Sequence, residues 1–408
     1  MSEEHGAGIE QLSSKALERR VKRWLLRAPF ECHVQVAPGL EETLATELLA
    51  GGFAAERAEL NLVHGGVELG MDHLGIMRAN LTLRTAGRVL LRLGTFPAAT
   101  PEMLYDRARK LPWETQIGFS VHYALHVTSR NSKLQAGDAV ANTVASAVSR
   151  RLRPLGLYPK AQEDAELVFH VRLQDDHCTI SLDTSGPHLH RRGVRRHVPK
   201  APVRETLAAA MALEGLARVG GAPDVVLDPF CGSATLLIEA TDALGGLAPG
   251  RHRTFAFERA AWFRPGSWRE VRRQAEAGVR PLQTRFLGID VDERAIAAAR
   301  ANLEGEYSGV ELRLADGTSF DLGSLNARRG LVLTNPPYGV RLGERREAAE
   351  TTRAFLANLA SAGGEWQVVM LVQDPGPVLE FLSDTRVTRT RNGGLAVAMV
   401  SGRSGAGC

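Results

Sequence analysis

The sequence predicts an α/β protein whose carboxyl-terminal half is a Rossmann-like domain with a mostly parallel sheet, preceded by two small α+β domains. From about residue 203, short apolar runs alternate with amphipathic runs of helical period, which is the pattern of parallel strands joined by helices. Before that point, strand-like and helix-like runs form one group over residues 31–100 and a second over 101–185. A chain of 408 residues is long enough for three such domains.

Composition excludes several classes of protein. The hydrophobic share of 44% and the charged share of 24% are ordinary globular values, and no apolar run reaches the roughly 18 residues of a membrane span. Residues 1–10 are acidic and do not have the pattern of a secretory signal. The cysteines are far apart, so we expect neither a disulfide framework nor a metal site, and a reducing cytoplasm fits best. They are Cys32, Cys178, Cys231 and Cys408.

Arginine dominates the basic residues, with 44 Arg against 6 Lys, although the net charge is only +4. Arginine binds phosphate and stacks on bases, so nucleic acid is one interpretation and an arginine-biased host is the other. Residues 1–30 form a basic N-terminal extension, whose helix-prone stretch 11–29 is either an RNA-touching arm or, as we expect, a solvated tail. Residues 186–202 form a linker without acidic residues, which we expect to contact RNA, the alternative being a solvated hinge. Its cations are Arg191, Arg192, Arg195, Arg196 and Lys200.

Periodicity and turn residues place the elements of the two α+β domains. The first domain has predicted strands over 31–39, 59–62, 66–70 and 89–96, and helices over 40–51 and 71–86. The second has predicted helices over 101–113 and 138–152, and strands over 119–127, 166–173 and 177–183.

The third domain, residues 203–401, alternates strands and helices and is followed by a flexible tail, 402–408. Its predicted strands are 224–227, 285–289, 310–314, 330–334 and 366–373. Its predicted helices are 203–219, 232–244, 291–304 and 345–362. A closing antiparallel hairpin over 386–400 turns at Asn392-Gly393-Gly394.

The first candidate site is the turn after the strand at 224–227. Asp228 ends the strand, and small residues over 230–233 lead into an apolar helix, at the sheet edge where cofactors bind. The spacings G-x-G-x-x-G and G-x-x-x-x-G-K-[ST] are both missing, which speaks against a nicotinamide dehydrogenase and a P-loop. Asp228 repels phosphate and suits an ammonium or a hydroxyl. S-adenosylmethionine offers these groups and carries no phosphate.

Two further aspartates end consecutive strands. Asp290 is placed to hold both ribose hydroxyls of a cofactor, and Asp316 to accept from an adenine amino group. Each aspartate by itself is as often a helix cap.

The fourth candidate is Asn335-Pro336-Pro337-Tyr338, directly after the strand at 330–334. Two prolines fix φ and remove N–H donors, so the turn presents carbonyl oxygens, an amide and an aromatic ring. The Asn335 side chain and the Pro336 carbonyl suit the two N–H bonds of an exocyclic amine, and Tyr338 suits stacking on a base. The alternative is a loop that prolines merely stiffen.

The motifs DPFCGSAT and NPPY resemble those of amino-methyltransferases that use S-adenosylmethionine. Together with LDTSGPHLHRRGVR, FAFERAAWF and GIDVDERAI, they resemble the bacterial RNA guanine-N2 methyltransferases that carry a THUMP domain. The resemblance covers about residues 31–400. It implies a class I methyltransferase domain with a seven-stranded sheet, preceded by a ferredoxin-like domain over 31–100 and an RNA-binding THUMP domain over 101–185.

Position by position, the resemblance assigns a cofactor site and a catalytic turn. The chain departs from the family's pattern at one position. The catalytic motif falls on Asn335, Pro336, Pro337 and Tyr338. The cofactor residues are Asp228, Phe230, Cys231, Gly232, Ser233, Thr235, Asp290 and Asp316. The family usually has Gly where this chain has Ala234, a change that we expect to be tolerated because a helix begins there. An insertion over 245–284 either shapes the RNA entrance or covers the sheet.

The resemblance implies methyl transfer from S-adenosylmethionine to the N2 amine of a guanosine in structured RNA, with 23S ribosomal RNA favoured over transfer RNA. One alternative is an adenine-N6 methyltransferase, because adenine presents a similar amine. Another is a nonenzymatic RNA-binding protein with an inactive methyltransferase fold. Neither a metal nor a membrane partner is expected.

Overall fold

The computed structural model describes residues 13–193, 203–338 and 342–404, which form helices around two seven-stranded sheets. In the first half the elements are α1 (Ser14–Leu25), β1 (Phe30–Gln35), α2 (Glu41–Ala50), β2 (Asn61–Val63), β3 (Gly66–Met71), α3 (His73–Thr82), β4 (Arg88–Pro97), α4 (Pro101–Ala108), α5 (Trp113–Gln116), β5 (Tyr123–Arg130), α6 (Gly137–Leu152), β6 (Leu167–Gln174) and β7 (His177–Asp183). In the second half they are α7 (Glu205–Val219), β8 (Val225–Asp228), α8 (Thr235–Gly245), α9 (Pro265–Ala277), β9 (Arg285–Asp290), α10 (Glu293–Asn302), β10 (Val310–Leu314), β11 (Arg329–Thr334), α11 (Leu342–Ser361), β12 (Glu365–Val372), α12 (Gly376–Leu379), β13 (Leu382–Asn392) and β14 (Leu395–Ser404).

One continuous sheet joins the two α+β domains that the sequence predicts as separate groups. Its strand order is β2-β3-β1-β4-β7-β6-β5, with β5 and β6 parallel and the other pairs antiparallel. The junction is β4, which pairs with β1 along one edge and with β7 along the other. Leu90 lies opposite Asp183 and Phe96 opposite Cys178. Backbone hydrogen bonds therefore cross the boundary near residue 100.

The helical part of the N-terminal extension is docked, so the expectation of a solvated tail is wrong for residues 14–25. The Ser13 hydroxyl caps α1 by accepting from the Ala16 N–H at 3.3 Å. Leu17 and Val21, four residues apart on one face, are buried where α1 packs against α5. Charge alone suggested solvation, but this apolar pair anchors the helix.

The second sheet has the order β10-β9-β8-β11-β12-β14-β13. The first five strands are parallel and the last two form the predicted antiparallel hairpin. This is the class I methyltransferase arrangement that the resemblance implied, and it puts the ends of β8, β9, β10 and β11 at one edge. No helix in the described part of the chain is long and apolar enough to span a bilayer.

The insertion over 245–284 bridges the domains. It contains α9, which sequence periodicity did not predict and which packs against α3. Trp262 is fully buried, and its indole N–H donates to the Gln116 side-chain oxygen at 3.0 Å. The Ala261 N–H donates to the Gln116 carbonyl at 2.9 Å. Much of the insertion is therefore an interface between the third domain and the helices α3 and α5.

The first part of the predicted linker also belongs to this interface. Arg253 reaches it and donates to the carbonyls of His188 at 3.0 Å and Arg191 at 2.9 Å. Arg192 is buried, and its guanidinium bonds both carboxylate oxygens of Glu239 and the Arg84 carbonyl. The prediction that Arg192 contacts RNA is corrected accordingly, because a guanidinium enclosed in this way cannot reach a phosphate.

Candidate active site

The turn after β8 carries the predicted cofactor loop. Asp228 has only 1% of its surface exposed. Its Oδ1 accepts from the Phe230 N–H at 3.2 Å and from the Thr334 hydroxyl at 2.9 Å. Burial raises the pKa of Asp228 to about 7. Asp228 thus braces the turn and ties β8 to β11, and its expected contact with a cofactor ammonium or hydroxyl stays a prediction.

Ala234 has an unusual backbone. Its φ is 65°, in the left-handed region, immediately before α8. A Cβ is disfavoured there, whereas glycine adopts this conformation without strain. Ala234 is fully buried in the core, so its methyl group does not enter the crevice. The expectation of an ordinary first helical position is therefore wrong, and the departure from Gly affects backbone strain.

Asp290 joins the ends of β8 and β9. Its Oδ2 accepts from the Gly232 N–H and its Oδ1 from the Asp292 N–H, both at 2.9 Å. The Cys231 N–H donates to the Ile289 carbonyl at 2.9 Å. Asp290 is half-buried, so its carboxylate is held in one orientation and still borders solvent. A fixed, accessible carboxylate at this edge suits a ribose diol.

Asp316 follows β10 and is exposed. Its Oδ1 accepts from the Thr318 N–H at 2.9 Å and the Thr318 hydroxyl at 2.8 Å. Next to it, Gly317 lies so close to the first turn that a Cβ would sit 2.5 Å from the Pro229 carbonyl oxygen. Sequence reasoning missed this glycine, whose only signal was the Asp-Gly pair.

The remaining residues of the loop shape the turn. The Phe230 ring packs edge-to-face on Phe355, with the centroids 5.8 Å apart. The hydroxyls of Ser233 and Thr235 lie 3.3 Å apart. Cys231 is buried, and burial raises the pKa of its thiol. All the predicted cofactor residues therefore lie on three strand ends that share one sheet edge.

The turn Asn335-Pro336-Pro337-Tyr338 begins where Thr334 contacts Asp228. Pro336 is buried, Pro337 is exposed, and the ring of Tyr338 packs against the core. The Tyr338 hydroxyl donates a hydrogen bond to Oδ1 of Asn335. Burial raises the pKa of Tyr338, so the phenol keeps its proton at neutral pH. The Asn335 oxygen has two lone pairs, so one acceptor position remains for a substrate.

A cavity of about 310 Å³ opens beside this turn. Pro336, Pro337 and Tyr338 line it together with Gln373 and Asp374, which follow the neighbouring strand β12. Asp374 is exposed, and its Oδ1 accepts from the Gly376 N–H at 3.0 Å. No motif in the sequence marks these two polar residues, because only the fold brings the end of β12 next to the turn.

The predicted RNA-binding linker is only partly described. Arg191 is exposed, and the structure places it beside the domain interface. Arg195, Arg196 and Lys200 lie outside the described residues.

Comparison with known families gives three matched regions. Residues 31–90 match the RlmL ferredoxin-like domain and residues 98–183 the THUMP domain. Residues 192–395, half of the chain, match the RMKL-like methyltransferase domain.

Individual proteins agree with these matches. The Ribosomal RNA large subunit methyltransferase K/L of Methylococcus capsulatus is 34% identical over 347 residues, which are 82% of this chain and 45% of that protein. The chain spans about half the length of the curated relatives it matches.

Among solved structures, SMU.472 complexed with SAH has a TM-score of 0.81 at 26% identity, covering 93% of this chain and 99% of that one. A predicted N6-adenine-specific DNA methylase from Listeria monocytogenes has a TM-score of 0.79 at 27% identity, covering 94% and 97%. The sheet order, the motif turns at its edge and the matched domains lead to one conclusion: the chain belongs to the RMKL-like methyltransferase family.

Proposed function

We propose that the protein transfers a methyl group from S-adenosylmethionine to the exocyclic N2 amine of a guanosine in structured RNA. The observation that carries the proposal is the Thr334–Asp228 hydrogen bond, 2.9 Å long, which joins the Asn335-Pro336-Pro337-Tyr338 turn to the cofactor-type turn. A site that presents amine acceptors next to a cofactor crevice suits transfer between the two.

The crevice fits S-adenosylmethionine. Asp290 offers a fixed carboxylate to the ribose hydroxyls, and Asp316 an exposed one to the adenine amine. Gly232, with φ 52° and nothing near its missing Cβ, leaves room for the methionine part. The structurally similar SMU.472 was crystallised with SAH. When bound, the cofactor supplies a methyl group on a sulfonium.

The protein's own contribution is positioning. The amine lone pair of guanine is delocalised into the ring, so the nitrogen is a weak nucleophile and its orientation matters. Oδ1 of Asn335 and the Pro336 carbonyl accept the two N–H bonds and hold the nitrogen in line with the methyl donor. Positive charge develops on this nitrogen, and the same oxygen dipoles stabilise it. One of the two N–H protons is then released to water, which gives the neutral methylated amine. A base inside a helix must first be unstacked, at a cost of a few kcal/mol.

The polar side of the cavity favours guanine over adenine. Guanine presents an N1–H donor next to its N2 amine, whereas adenine presents the N1 acceptor next to its N6 amine. A carboxylate accepts from N1–H and repels an N1 lone pair. Asp374 supplies that carboxylate in the cavity that Pro336 and Pro337 also line.

The matched domains support an RNA substrate. The THUMP match and the names of the K/L relatives favour large-subunit ribosomal RNA, with transfer RNA as the next candidate. Exposed Arg191, with Arg195, Arg196 and Lys200 of the same segment, supplies cations for phosphate contacts. Such a substrate places the reaction in the cytoplasm.

The test is methyl transfer to RNA from cells that lack this protein, using cofactor labelled in the methyl group. Digestion of the RNA should give labelled N2-methylguanosine, in 23S ribosomal RNA. N6-methyladenosine would replace the base assignment with the adenine alternative. Cofactor binding without any labelled nucleoside would contradict the proposal and favour the nonenzymatic RNA-binding alternative.

Two variants separate the roles within the site. Asn335→Ala should reduce kcat by about a hundredfold or more, because a positioned acceptor is lost in the transition state, and should leave cofactor affinity unchanged. Asp290→Ala should weaken cofactor binding, measured by calorimetry. Unchanged turnover in the first variant, or unchanged affinity in the second, contradicts the assigned role.

Asp374→Asn tests base recognition. The amide still accepts from the Gly376 N–H, so the local turn is preserved, but the charge facing the base is lost. We expect kcat/KM for RNA to fall by about tenfold, since hydrogen bonds to charged groups are worth about 1 kcal/mol more than neutral ones. Glu380→Gln, an exposed carboxylate outside the cavity, is the control. Equal values for both variants would remove Asp374 from the proposal.

A further inference from the structure

A basic cleft lies where α1 docks beside α5 and α6. Its volume is about 640 Å³, and six cationic side chains and one carboxylate line it. The cations are Arg19, Arg20, Arg23, Arg27, Lys110 and Arg151. The carboxylate belongs to Glu114. We call this the α1 cleft.

Helical spacing arranges the arginines of α1. Arg19 and Arg23, four residues apart, share one side of α1, and Arg27 follows two residues after the helix ends at Leu25. The three line the same cleft. All three are exposed. Leu17 and Val21 are buried and fix the helix in place. The arginines are therefore presented on an anchored element.

The single carboxylate of the cleft, that of Glu114, already forms ion pairs with two arginines. Glu114 is only 5% exposed, and Arg151 binds it through two hydrogen bonds of 3.0 and 2.7 Å. Arg20 adds a third at 3.4 Å. Burial by itself raises the pKa of Glu114, but the Arg151 hydrogen bond holds it below its ordinary value, so the group stays charged. Glu114 therefore aligns Arg151 and Arg20 and offers nothing to the other cations.

Four cations remain uncompensated. Arg19, Arg23, Arg27 and Lys110 form no ion pair with any residue in the described ranges 13–193, 203–338 and 346–404. Like charges gathered in a concave surface repel one another and concentrate the field that attracts an anion. One small anion would neutralise only one or two of them. A chain of phosphates matches an extended row of guanidinium groups.

We infer that the α1 cleft binds the phosphate backbone of the RNA substrate. The inference rests on the proposed RNA methyltransferase function and adds a second contact surface, away from the catalytic turn. The arginines of α1 precede residue 31, where the matches to known domains begin, so no family assignment covers them.

The cleft is coupled to the third domain through α5. Glu114 and Gln116 lie two residues apart on this short helix. Glu114 faces the cleft, while Gln116 bonds Trp262 and Ala261 of the insertion. RNA held in the α1 cleft is therefore held at a fixed position relative to the third domain, so the contact should lower KM for RNA and leave kcat unchanged.

The experiment compares the full chain with Arg19→Ala/Arg23→Ala/Arg27→Ala. The control, Arg273→Ala/Arg300→Ala/Arg328→Ala, removes the same charge from exposed positions on other elements. The affinity for a fluorescein-labelled RNA hairpin from 23S ribosomal RNA is measured between about 50 and 200 mM salt. Over this range, affinity that depends on phosphate contacts falls steeply. Methylation kinetics and cofactor affinity are measured on the same proteins.

We expect the cleft variant to bind the hairpin about tenfold more weakly, with a salt slope reduced by about 2 to 3, because three phosphate contacts are lost. KM for RNA should rise while kcat and cofactor affinity stay unchanged. Equal binding in wild type and cleft variant, or equal losses in variant and control, would overturn the inference while leaving methyl transfer intact. Failure of the proposed function would give a different result from failure of this inference, since the wild type itself would then methylate no RNA.

Discussion

Arg192 and Glu239 form an ion pair that is almost completely enclosed, with 4% and 0% of their side chains exposed. The guanidinium bonds both carboxylate oxygens, at 3.1 and 3.0 Å, and also the carbonyl of Arg84 in the first domain. Arg84 in turn donates to the carbonyls of Asp242 and Leu247. One buried polar network therefore connects the first domain, the segment after β7, and α8.

Arg192→Met should destabilise the protein by about 3–5 kcal/mol, because Glu239 is left as a buried charge without its partner. Urea unfolding followed by tryptophan fluorescence measures the loss. Arg191→Met, at the exposed neighbouring position, should change stability by less than about 0.5 kcal/mol. The double variant Arg192→Met/Glu239→Leu should recover much of the loss. A single variant as stable as wild type would contradict the buried pair.

Ala234→Gly should stabilise the protein by about 1 kcal/mol, because the residue adopts φ 65° and glycine carries no Cβ strain there. Thermal unfolding gives the comparison. Ala240→Gly, in the middle of α8, is the matched control and should destabilise by about 1 kcal/mol or more. Loss of stability in both variants would show that strain at Ala234 is not the dominant effect.

Asp228→Asn should stabilise the protein most above pH 7. Burial raises the pKa of Asp228 from 3.8 to about 7, so the folded state binds more protons than the unfolded state between these values. Stability from this group is therefore present at low pH, declines as pH rises from about 4 to 7, and is absent above. Asn keeps the acceptor for Phe230 and Thr334 without the charge.

The measurement is the unfolding midpoint of wild type and Asp228→Asn from pH 5 to pH 9. The difference should widen up to about pH 7 and then level off. A constant difference across this range would mean that Asp228 does not titrate as its burial requires.

Tyr338→Phe should reduce kcat by less than about tenfold. The phenol hydroxyl orients Asn335, and a hydrogen bond of this kind contributes about 0.5–1.5 kcal/mol. The ring and its packing remain, and Asn335 keeps both acceptor positions. Steady-state kinetics on RNA, with Asn335→Ala alongside, gives the comparison. A loss as large as that of Asn335→Ala would mean that the hydroxyl contacts the substrate directly.

The local sequence pattern was sufficient to predict most helices and strands and the positions of the candidate site residues along the chain. Strands that end in Asp228, Asp290 and Thr334 are short apolar runs followed by polar turns, so period and turn chemistry located them to within a residue or two. The insertion was different. The helix Pro265–Ala277 buries Trp268 and Val271 and packs against α3 of the first domain, and no local rule says which face of an arginine-rich segment finds such a partner.

Arg192 and α1 also show that local sequence does not reveal burial. By composition both belong to basic, solvated segments. The fold encloses Arg192 because a buried carboxylate, that of Glu239, lies across the domain interface. It anchors α1 because the side chains of Leu17 and Val21 are buried against an apolar surface. Sequence distance hides both partners, since Glu239 and Glu114 are 47 and 94 residues away from Arg192 and Arg20.

The sequence by itself determined the α/β class, the order of the domains, the family resemblance and the residues at the edge of the second sheet, because each depends on short-range periodicity or on a contiguous motif. Only the tertiary structure decided which of these residues brace the turn and which border the crevice, how Ala234 is strained, and which cations remain unpaired. Burial and charge pairing are properties of surfaces brought together from distant parts of the chain, and they are therefore fixed by packing.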